Sequence, residues 1–263
     1  MKKFIDKWKG YTDSDIIKEA SRVINLSSFE IKDQLEPHVW QNKTLDQQVR
    51  RKLIHIVKQF WNSLDLPTLE IEDITFTGSL ANYNWSKYSD VDLHILVNFD
   101  HLPGNAEITE ALMTAKRAAW NRKHDIEIYG YEVEIYIQDS REAHHSTGVY
   151  SVLEDRWLVE PEKKDFTIDK ENVKVKALHI MKQVDKIQLS YESGRFTETM
   201  QDVDRLKEKI RKFRKCGLEH GGEYSSENLA FKVLRRNGYL EKLSTLKTSA
   251  YDKKMSIGSN KML

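Results

Sequence analysis

The stretch FTGSLANYNWSKYSDVDLHILV, residues 76–97, decides how the fold of this chain is interpreted. An apolar, alternating run ends at Gly78-Ser79, and a second apolar run begins at Val91. Asp90 and Asp92 flank that valine, at the start of a segment whose pattern predicts a buried strand. Burying carboxylates is costly unless a cation pairs with them, so the cation is either a side chain or a metal.

The segments around this stretch predict a small mixed sheet with helices. Two strands are expected over residues 69–78 and 91–99, and the alternation of residues 125–139 on both sides of Gly130 predicts a hairpin. A Gly-X turn there places Ile128 opposite Val133, and Glu127 opposite Glu134. Two helices are expected in this part of the chain. The first begins at a Thr44 cap and carries an apolar stripe, and the second is a crossover helix at 106–124 that is rich in helix-forming residues.

The later chain predicts helices only, at about 172–191, 196–215 and 225–247, and one or two short helices are expected within 14–35. The order of elements therefore indicates an α+β fold, a small mixed β-sheet flanked by helices and followed by a C-terminal helical region. Pro161 marks the predicted boundary between a catalytic domain with N-terminal helices, residues 1–160, and a helical domain, residues 161–263.

Charge is divided unevenly between these two parts. From Pro161 onward the chain has 23 Lys and Arg against 15 Asp and Glu, which leaves 19 against 26 before it. Basic surface favours phosphate-bearing partners, although solvated helical faces also explain it. Within the basic run at 205–222, we expect Lys209, Arg211 and Lys212 to contact RNA.

Composition places the chain among globular proteins of a reducing compartment. Hydrophobic residues make up 39% and charged residues 32%, and Cys216 is the single cysteine. The basic start is not followed by an apolar signal region, and no apolar run is long enough to span a membrane. We therefore expect a cytoplasmic location.

The motif residues together predict a metal-dependent site. Asp90 and Asp92 are two apart and share a strand face, where their like charges favour a divalent cation such as Mg²⁺ or Mn²⁺. Gly78 lets the backbone approach a ligand and the Ser79 hydroxyl can bond phosphate oxygens. A third carboxylate, Glu134 or Glu132, is expected on a neighbouring strand, which completes the parts that two-metal nucleotidyl transfer needs.

The segment GSLANYNWSKYSDVDLHI resembles the G-S…D-x-D signature of the DNA polymerase β-like nucleotidyltransferase superfamily. The resemblance covers roughly residues 45–140 and implies that Asp90, Asp92 and Glu134 bind the metals and catalyse, while Gly78 and Ser79 hold the NTP. Two later segments, HHSTGVYSVLEDRWL and GGEYSSENLAFKVLRRNGYLEKL, are similar to nucleotidyltransferase-like proteins of large tailed phages. For a phage-encoded protein, the location would be the host cytoplasm.

Other chemically active residues are given structural interpretations. His94 shares a strand face with Asp92 and could lie near the site, but a structural strand histidine is the expectation. His144-His145 have no Cys or acidic partner at ligand spacing, so no metal is expected there. Cys216 lies in a basic stretch that could lower its pKa, but a structural or incidental thiol is expected. The aromatic residues of the loop, Tyr83, Trp85 and Tyr88, either stack on a base or pack the loop itself.

The sequence thus predicts an enzyme that passes NMP from an NTP to a hydroxyl, with release of pyrophosphate. An RNA 3′ end is the acceptor that the basic half suggests. The same core also suits transfer to a small molecule or a protein, and oligonucleotide synthesis. A non-catalytic module that binds nucleotide or RNA is the alternative from another class.

Overall fold

The computed structural model describes residues 24–65, 69–102, 104–143, 146–163 and 167–257. The described chain divides into two compact units, one over residues 27–163 and one over 167–257 together with 24–26. The first part of the helical prediction for 14–35, residues 14–23, and His144-His145 lie outside the described residues. The described part of the former segment has a short 3₁₀ turn at Ser27–Phe29.

The first unit contains eight strands and two longer helices among its described residues. In chain order they are β1 (Trp40–Gln41), β2 (Thr44–Leu45), α1 (Gln47–Leu64), β3 (Asp73–Thr77), β4 (Val91–Val97), α2 (Ala106–Lys123), β5 (Glu127–Ile128), β6 (Tyr131–Asp139), β7 (Val149–Ser151) and β8 (Arg156–Val159). Six strands form one sheet in the order β5-β6-β4-β3-β7-β8, and β1 pairs with β2. Strands β4 and β6 are parallel, whereas the other neighbours are antiparallel.

Alternating apolar residues hold this sheet in place. Phe76, Leu93 and Ile135 from its three central strands are fully buried. Helix α1 adds the predicted apolar stripe, in which Leu53, Val57 and Phe60 have no exposed area. The helix begins two residues later than the sequence suggested, because Asp46 caps it and Thr44 belongs to β2. The Asp46 carboxylate accepts hydrogen bonds from the amides of Gln48 and Val49 at 2.8 and 3.0 Å.

The predicted register of the β5–β6 hairpin is wrong. Glu127 lies opposite Glu132, and Ile128 lies opposite Tyr131. The turn is formed by Tyr129 and Gly130, both with positive φ (53° and 81°), rather than by Gly130 and the residue after it. Two consecutive residues with positive φ make the tight turn that matches the twist of a hairpin. Glu134 is thereby not opposite Glu127.

The second unit is helical over its described residues. It contains α3 (Lys170–Glu192), α4 (Phe196–Gly221), α5 (Ser226–Arg236) and α6 (Tyr239–Met255). The last two were predicted as one helix, but the chain breaks at Gly238, which has a φ of 72°. Val184 of α3, Val203 of α4 and Val233 of α5 are among the side chains that form its apolar interior.

The α+β prediction is confirmed, since a mixed sheet with helices is followed by a helical region. Of the helices in the described ranges, none combines the length and apolar character needed to cross a bilayer. The cytoplasmic location stays a prediction.

Candidate active site

Gly78 lies directly against the carboxylate of Asp92. The glycine ends β3 with φ 79° and ψ −162°, and Thr77 beside it pairs with Asp92 across the two strands. A Cβ atom on Gly78 would stand only 2.0 Å from Oδ2 of Asp92. A side chain at this position would force the Asp92 carboxylate to move, so the close approach of the Gly-Ser turn to the second aspartate of the motif depends on glycine.

The parallel pairing of β4 with β6 brings the acidic residues side by side. Asp92 is in register with Glu134, and the first pair of the ladder is Val91 with Val133. Asp90 and Glu132 each stand one position before that first pair. Residues in register on parallel strands share a face, so Asp92 and Glu134 point to the same side of the sheet.

Tyr136 connects the carboxylate of Glu134 to the rest of this face. Its hydroxyl donates a hydrogen bond to Oε2 of Glu134. The Arg117 guanidinium lies 5.3 Å from the centre of the tyrosine ring, and the imidazole of His94 stacks on the ring at 4.9 Å. His94 in turn bonds Oε1 of Gln138 through Nδ1 at 2.9 Å. These contacts fix one oxygen of Glu134, and they give His94 a structural environment, as expected.

The electrostatics of this face are dominated by negative charge. Partial burial raises the pKa of Glu132, and the charges of Glu134 and Asp90 raise it further. Burial also raises the pKa of the Tyr136 hydroxyl, together with its hydrogen bond to Glu134 and the nearby charge of Asp92, while Arg117 opposes the shift. The charges of Asp90, Asp92 and Glu134 therefore each raise the pKa of a neighbouring side chain, and the Tyr136 hydroxyl stays protonated.

Ser79 begins the 3₁₀ turn Ser79–Ala81, and its hydroxyl is engaged within the loop. It donates to the Oγ atom of Ser89 at 2.7 Å, which also accepts from the amide of Ser86 at 3.0 Å. The loop between the Gly-Ser turn and Asp90 is thus closed on itself by serine hydroxyls. A phosphate bound by Ser79 would take the place of Ser89 as the acceptor of its proton.

The aromatic residues of this loop divide into two kinds. Tyr83 is buried, and its carbonyl accepts from the amide of Lys32 at 2.7 Å. The Trp85 indole donates to the carbonyl of Gln34 at 2.9 Å. Tyr88, in contrast, leaves 45% of its surface exposed. Two of the three rings therefore pack the loop, and only the third presents a face to solvent.

The basic segment of α4 carries ion pairs along its own helix. Arg211 and Lys212 contact the carboxylate of Glu208 at 2.6 and 3.5 Å, and Lys209 bonds the side chain of Gln183 at 3.2 Å. Cys216 is exposed, with its sulfur 3.7 Å from Nδ1 of His220. The ion pairs of Arg211 and Lys212 with Glu208 lie on the solvated surface, where each contributes little to the free energy of unfolding.

In the parts of the chain that the structure describes, no group of three or more His, Cys, Asp or Glu side chains is spaced to hold a metal ion. The fold brings Gly78, Asp92 and Glu134 together, with Asp90 and Glu132 beside them, but it does not converge their oxygens on one point. The roles predicted for these residues, and for Ser79, stay predictions.

Comparison with known proteins adds the decisive observation. Residues 50–169 match the family model described as a nucleotidyltransferase domain. Over this segment, which is somewhat less than half of the chain, the sequence is similar to nucleotidyltransferase domains. It contains strands β3, β4 and β6, and with them the whole Gly-Ser and Asp-x-Asp arrangement. The match supports the polymerase β-like resemblance of the core.

Searches with the chain found no matching curated protein and no matching solved structure. The similarity of the later segments to phage proteins therefore stays a prediction. The match to the nucleotidyltransferase family model does not specify an acceptor.

Two residues beside Glu134 were not predicted from the sequence to belong to the site. They are Tyr136, whose hydroxyl donates to Glu134, and Arg117, whose guanidinium lies near the tyrosine ring. The two-residue spacing of Glu134 and Tyr136 is a signal that they share a face. Nothing in the sequence indicates that α2 places Arg117 over the tyrosine ring.

Replacing Gly78 with alanine is expected to lower both stability and nucleotide binding. The backbone of Gly78, with φ 79° and ψ −162°, lies in a region that is essentially restricted to glycine, which disfavours alanine by about 1–3 kcal/mol, and the new methyl group would force the Asp92 carboxylate to move. Gly104→Ala is the matched control, because Gly104 has a φ of 72° with nothing within 4 Å of its Cβ position. Urea denaturation and NTP titration compare the two variants. Equal losses of stability and of NTP affinity in the two variants would show that the contact between residue 78 and Asp92 contributes to neither.

Proposed function

We propose that the nucleotidyltransferase domain transfers NMP from an NTP to a hydroxyl acceptor and releases pyrophosphate. The observation that carries this proposal is the register of Asp92 with Glu134, next to the glycine whose missing side chain leaves room for the Asp92 carboxylate. It places a Gly-Ser turn and two acidic strands at one end of the β3–β4–β6 group. The family match supports the same reaction class.

The donor set of this group suits a hard divalent cation. Asp90, Asp92 and Glu134 offer only carboxylate oxygens, which are the ligands that Mg²⁺ and Mn²⁺ prefer. Burial is the main cause of the raised pKa of Glu132, and the charges of Glu134 and Asp90 raise this pKa further; like charges this close together favour a cation beside them. Such cations, when bound, stabilise charge on the transferring phosphoryl group.

The chain's own residues have separable tasks in this reaction. Gly78 lets the NTP phosphates approach the backbone, and the Ser79 hydroxyl turns from Ser89 to a phosphate oxygen. Tyr136 keeps its proton and holds one oxygen of Glu134, which leaves the other oxygen for coordination. In the transfer, the acceptor oxygen bonds to the α-phosphorus as the bond to pyrophosphate breaks, and the hydroxyl proton is lost.

A transfer assay tests the proposal and names the acceptor. The protein is incubated with each labelled NTP, with Mg²⁺ or Mn²⁺, and with pooled RNA, and the position of the label is followed. Label on RNA supports an RNA 3′ end as the acceptor. Label on a small molecule, on the protein or in new oligonucleotides supports one of the other acceptors. NTP binding without any transfer would support the non-catalytic module.

Replacing Ser79 with alanine is expected to weaken NTP binding by about 1.5–3 kcal/mol, the value of one hydrogen bond to a charged group. Isothermal titration measures it. Ser63→Ala is the control, since the Ser63 hydroxyl donates to the carbonyl of Phe60 in the last turn of α1. Unchanged NTP affinity in Ser79→Ala would show that the Gly-Ser turn is only a structural corner.

An RNA acceptor is the choice that the basic helical unit favours. Its predicted contacts are Lys209, Arg211 and Lys212, two of which share Glu208 as a partner. Phosphate contacts of this kind act through counterion release and weaken as salt rises. A compact small-molecule acceptor would show no such salt dependence.

A further inference from the structure

A groove between α3 and α4 brings together basic side chains from both helices. The two helices are joined by residues 193–195, so they pack beside each other as a helical hairpin. The groove between them has a volume of about 270 Å³. Three of the side chains that line it are cationic, Lys186 of α3 and Arg205 and Lys209 of α4. Asp202 of α4 is the carboxylate that lines it beside them.

The floor of the groove is apolar. Ile187 of α3 and Leu206 of α4 line it, and both side chains are buried. Lys186 directly precedes Ile187, and Arg205 directly precedes Leu206, so a cation from each helix borders the floor. Lysine and arginine cover such a floor with their aliphatic stems and keep their charged ends at its rim. The cations of the two helices therefore surround one patch.

The ammonium group of Lys209 is oriented across the groove by a neutral partner. Its Nζ donates a hydrogen bond to Oε1 of Gln183 on α3 at 3.2 Å. The amide nitrogen of Gln183 donates to the carbonyl of His179 at 3.1 Å, which leaves the amide oxygen facing the lysine. A neutral acceptor holds the ammonium group without cancelling its charge, and the group keeps further N–H donors for an anion.

The charge of the groove is positive after its ion pairs are taken into account. Arg205 pairs with Asp202, three positions before it on the same helix, and this contact uses one nitrogen of the guanidinium. Over the described part of the chain, neither Lys186 nor Lys209 lies within ion-pair distance of a carboxylate. Three cations that share one carboxylate leave a net positive charge, which favours an anion in the groove.

We propose that Lys186, Arg205 and Lys209 bind a phosphate group in the groove between α3 and α4, and that RNA supplies it as a backbone phosphate. Phosphate oxygens match the donors of a guanidinium and of ammonium groups. Lys212 lies one turn beyond Lys209 on α4, so a strand with successive phosphates engages the groove and the adjoining basic segment together. The inference rests on the proposed function only in its choice of RNA as the source of the phosphate.

The test measures binding of a fluorescent single-stranded RNA to the full chain over a range of salt concentrations. The double variant Lys186→Gln/Arg205→Gln is expected to bind about tenfold more weakly at about 0.1 M salt, with a slope of log K against log salt that is shallower by about 1.4. Lys253→Gln/Lys254→Gln removes the same charge from the last turn of α6, outside the lining of the groove, and is expected to change both values less. Lys186→Arg/Arg205→Lys keeps the charge and is expected to retain the slope.

A second variant tests the groove without removing a cation. Gln183→Glu places a carboxylate where the Lys209 ammonium group is already bonded, and it is expected to make the slope shallower by about 0.7, the value of one phosphate contact. Gln188→Glu is the matched control, because it adds the same charge to α3 at a side chain that bonds Glu192 and lies outside the groove.

Unchanged RNA binding in Lys186→Gln/Arg205→Gln, or an equal loss in the Lys253/Lys254 control, would overturn the proposal. Loss of inorganic tripolyphosphate binding in the double variant, with RNA binding intact, would overturn RNA as the source of the phosphate. Circular dichroism of each variant establishes that its helices are folded. Absence of NTP transfer in the labelled assay, with RNA binding still weakened in the double variant, would refute the proposed function and leave this site standing.

Discussion

Replacing Asp92 with asparagine is expected to lower the rate of nucleotidyl transfer by a factor on the order of 10²–10³ or more. The Asp92 carboxylate lies against Gly78 at the end of β3, and Asp92 is in register with Glu134 on β6. Asparagine keeps the shape of the side chain but removes the negative charge that a divalent cation requires. The fold is expected to be retained, because the change removes one charge from a group of like charges.

Turnover with labelled NTP and binding of Mn²⁺, followed by magnetic resonance, measure the two consequences separately. Asp125→Asn is the matched control, since Asp125 is exposed and also acts on Glu132, yet it lies outside the paired strands. Near wild-type turnover in Asp92→Asn would exclude the metal-dependent reading of the site. Weak Mn²⁺ binding in Asp125→Asn as well would show that the measurement reports general negative charge.

Much of this arrangement follows from sequence patterns that have a direct physical cause. Period-two alternation predicted β3, β4 and β6, because one face of each must be buried. The apolar stripe of α1 predicted which of its residues face the core. The α+β order followed from the succession of these elements. Local patterning was therefore sufficient for the elements and for the face on which Asp90 and Asp92 lie.

Such patterns do not determine which strands pair with one another or in what register. Alternation says which residues share a face, but it does not say that β6 lies beside β4 in parallel, with Glu134 next to Asp92. The turn error has a similar origin, since Tyr129 adopts a positive φ that favours glycine or asparagine. The hairpin of β1 and β2 was also missed, because Asn42 and Lys43 both turn through positive φ immediately before the helix.

The register of β4 with β6 gives the sharpest test of the third carboxylate. Glu134 pairs with Asp92 and is fixed by Tyr136, whereas Glu132 is exposed and lies opposite Glu127 in the hairpin. Glu134→Gln is therefore expected to lower turnover by about 10²–10³, and Glu132→Gln to change it little. The second variant is expected to raise the free energy of unfolding by about 0.2–1 kcal/mol, since it removes like charges from opposite positions.

The two variants differ by one two-residue step on the same strand face, so each is the control for the other. Both remove one negative charge beside Asp90 and Asp92, and a general loss of potential would weaken Mn²⁺ binding equally in both. A role in coordination instead predicts that only Glu134→Gln loses Mn²⁺ affinity together with turnover. A large loss in Glu132→Gln with turnover preserved in Glu134→Gln would move the third ligand two residues back, beside Asp90. That outcome would also leave the Tyr136 hydrogen bond as a structural contact, because the oxygen it holds would then serve no cation.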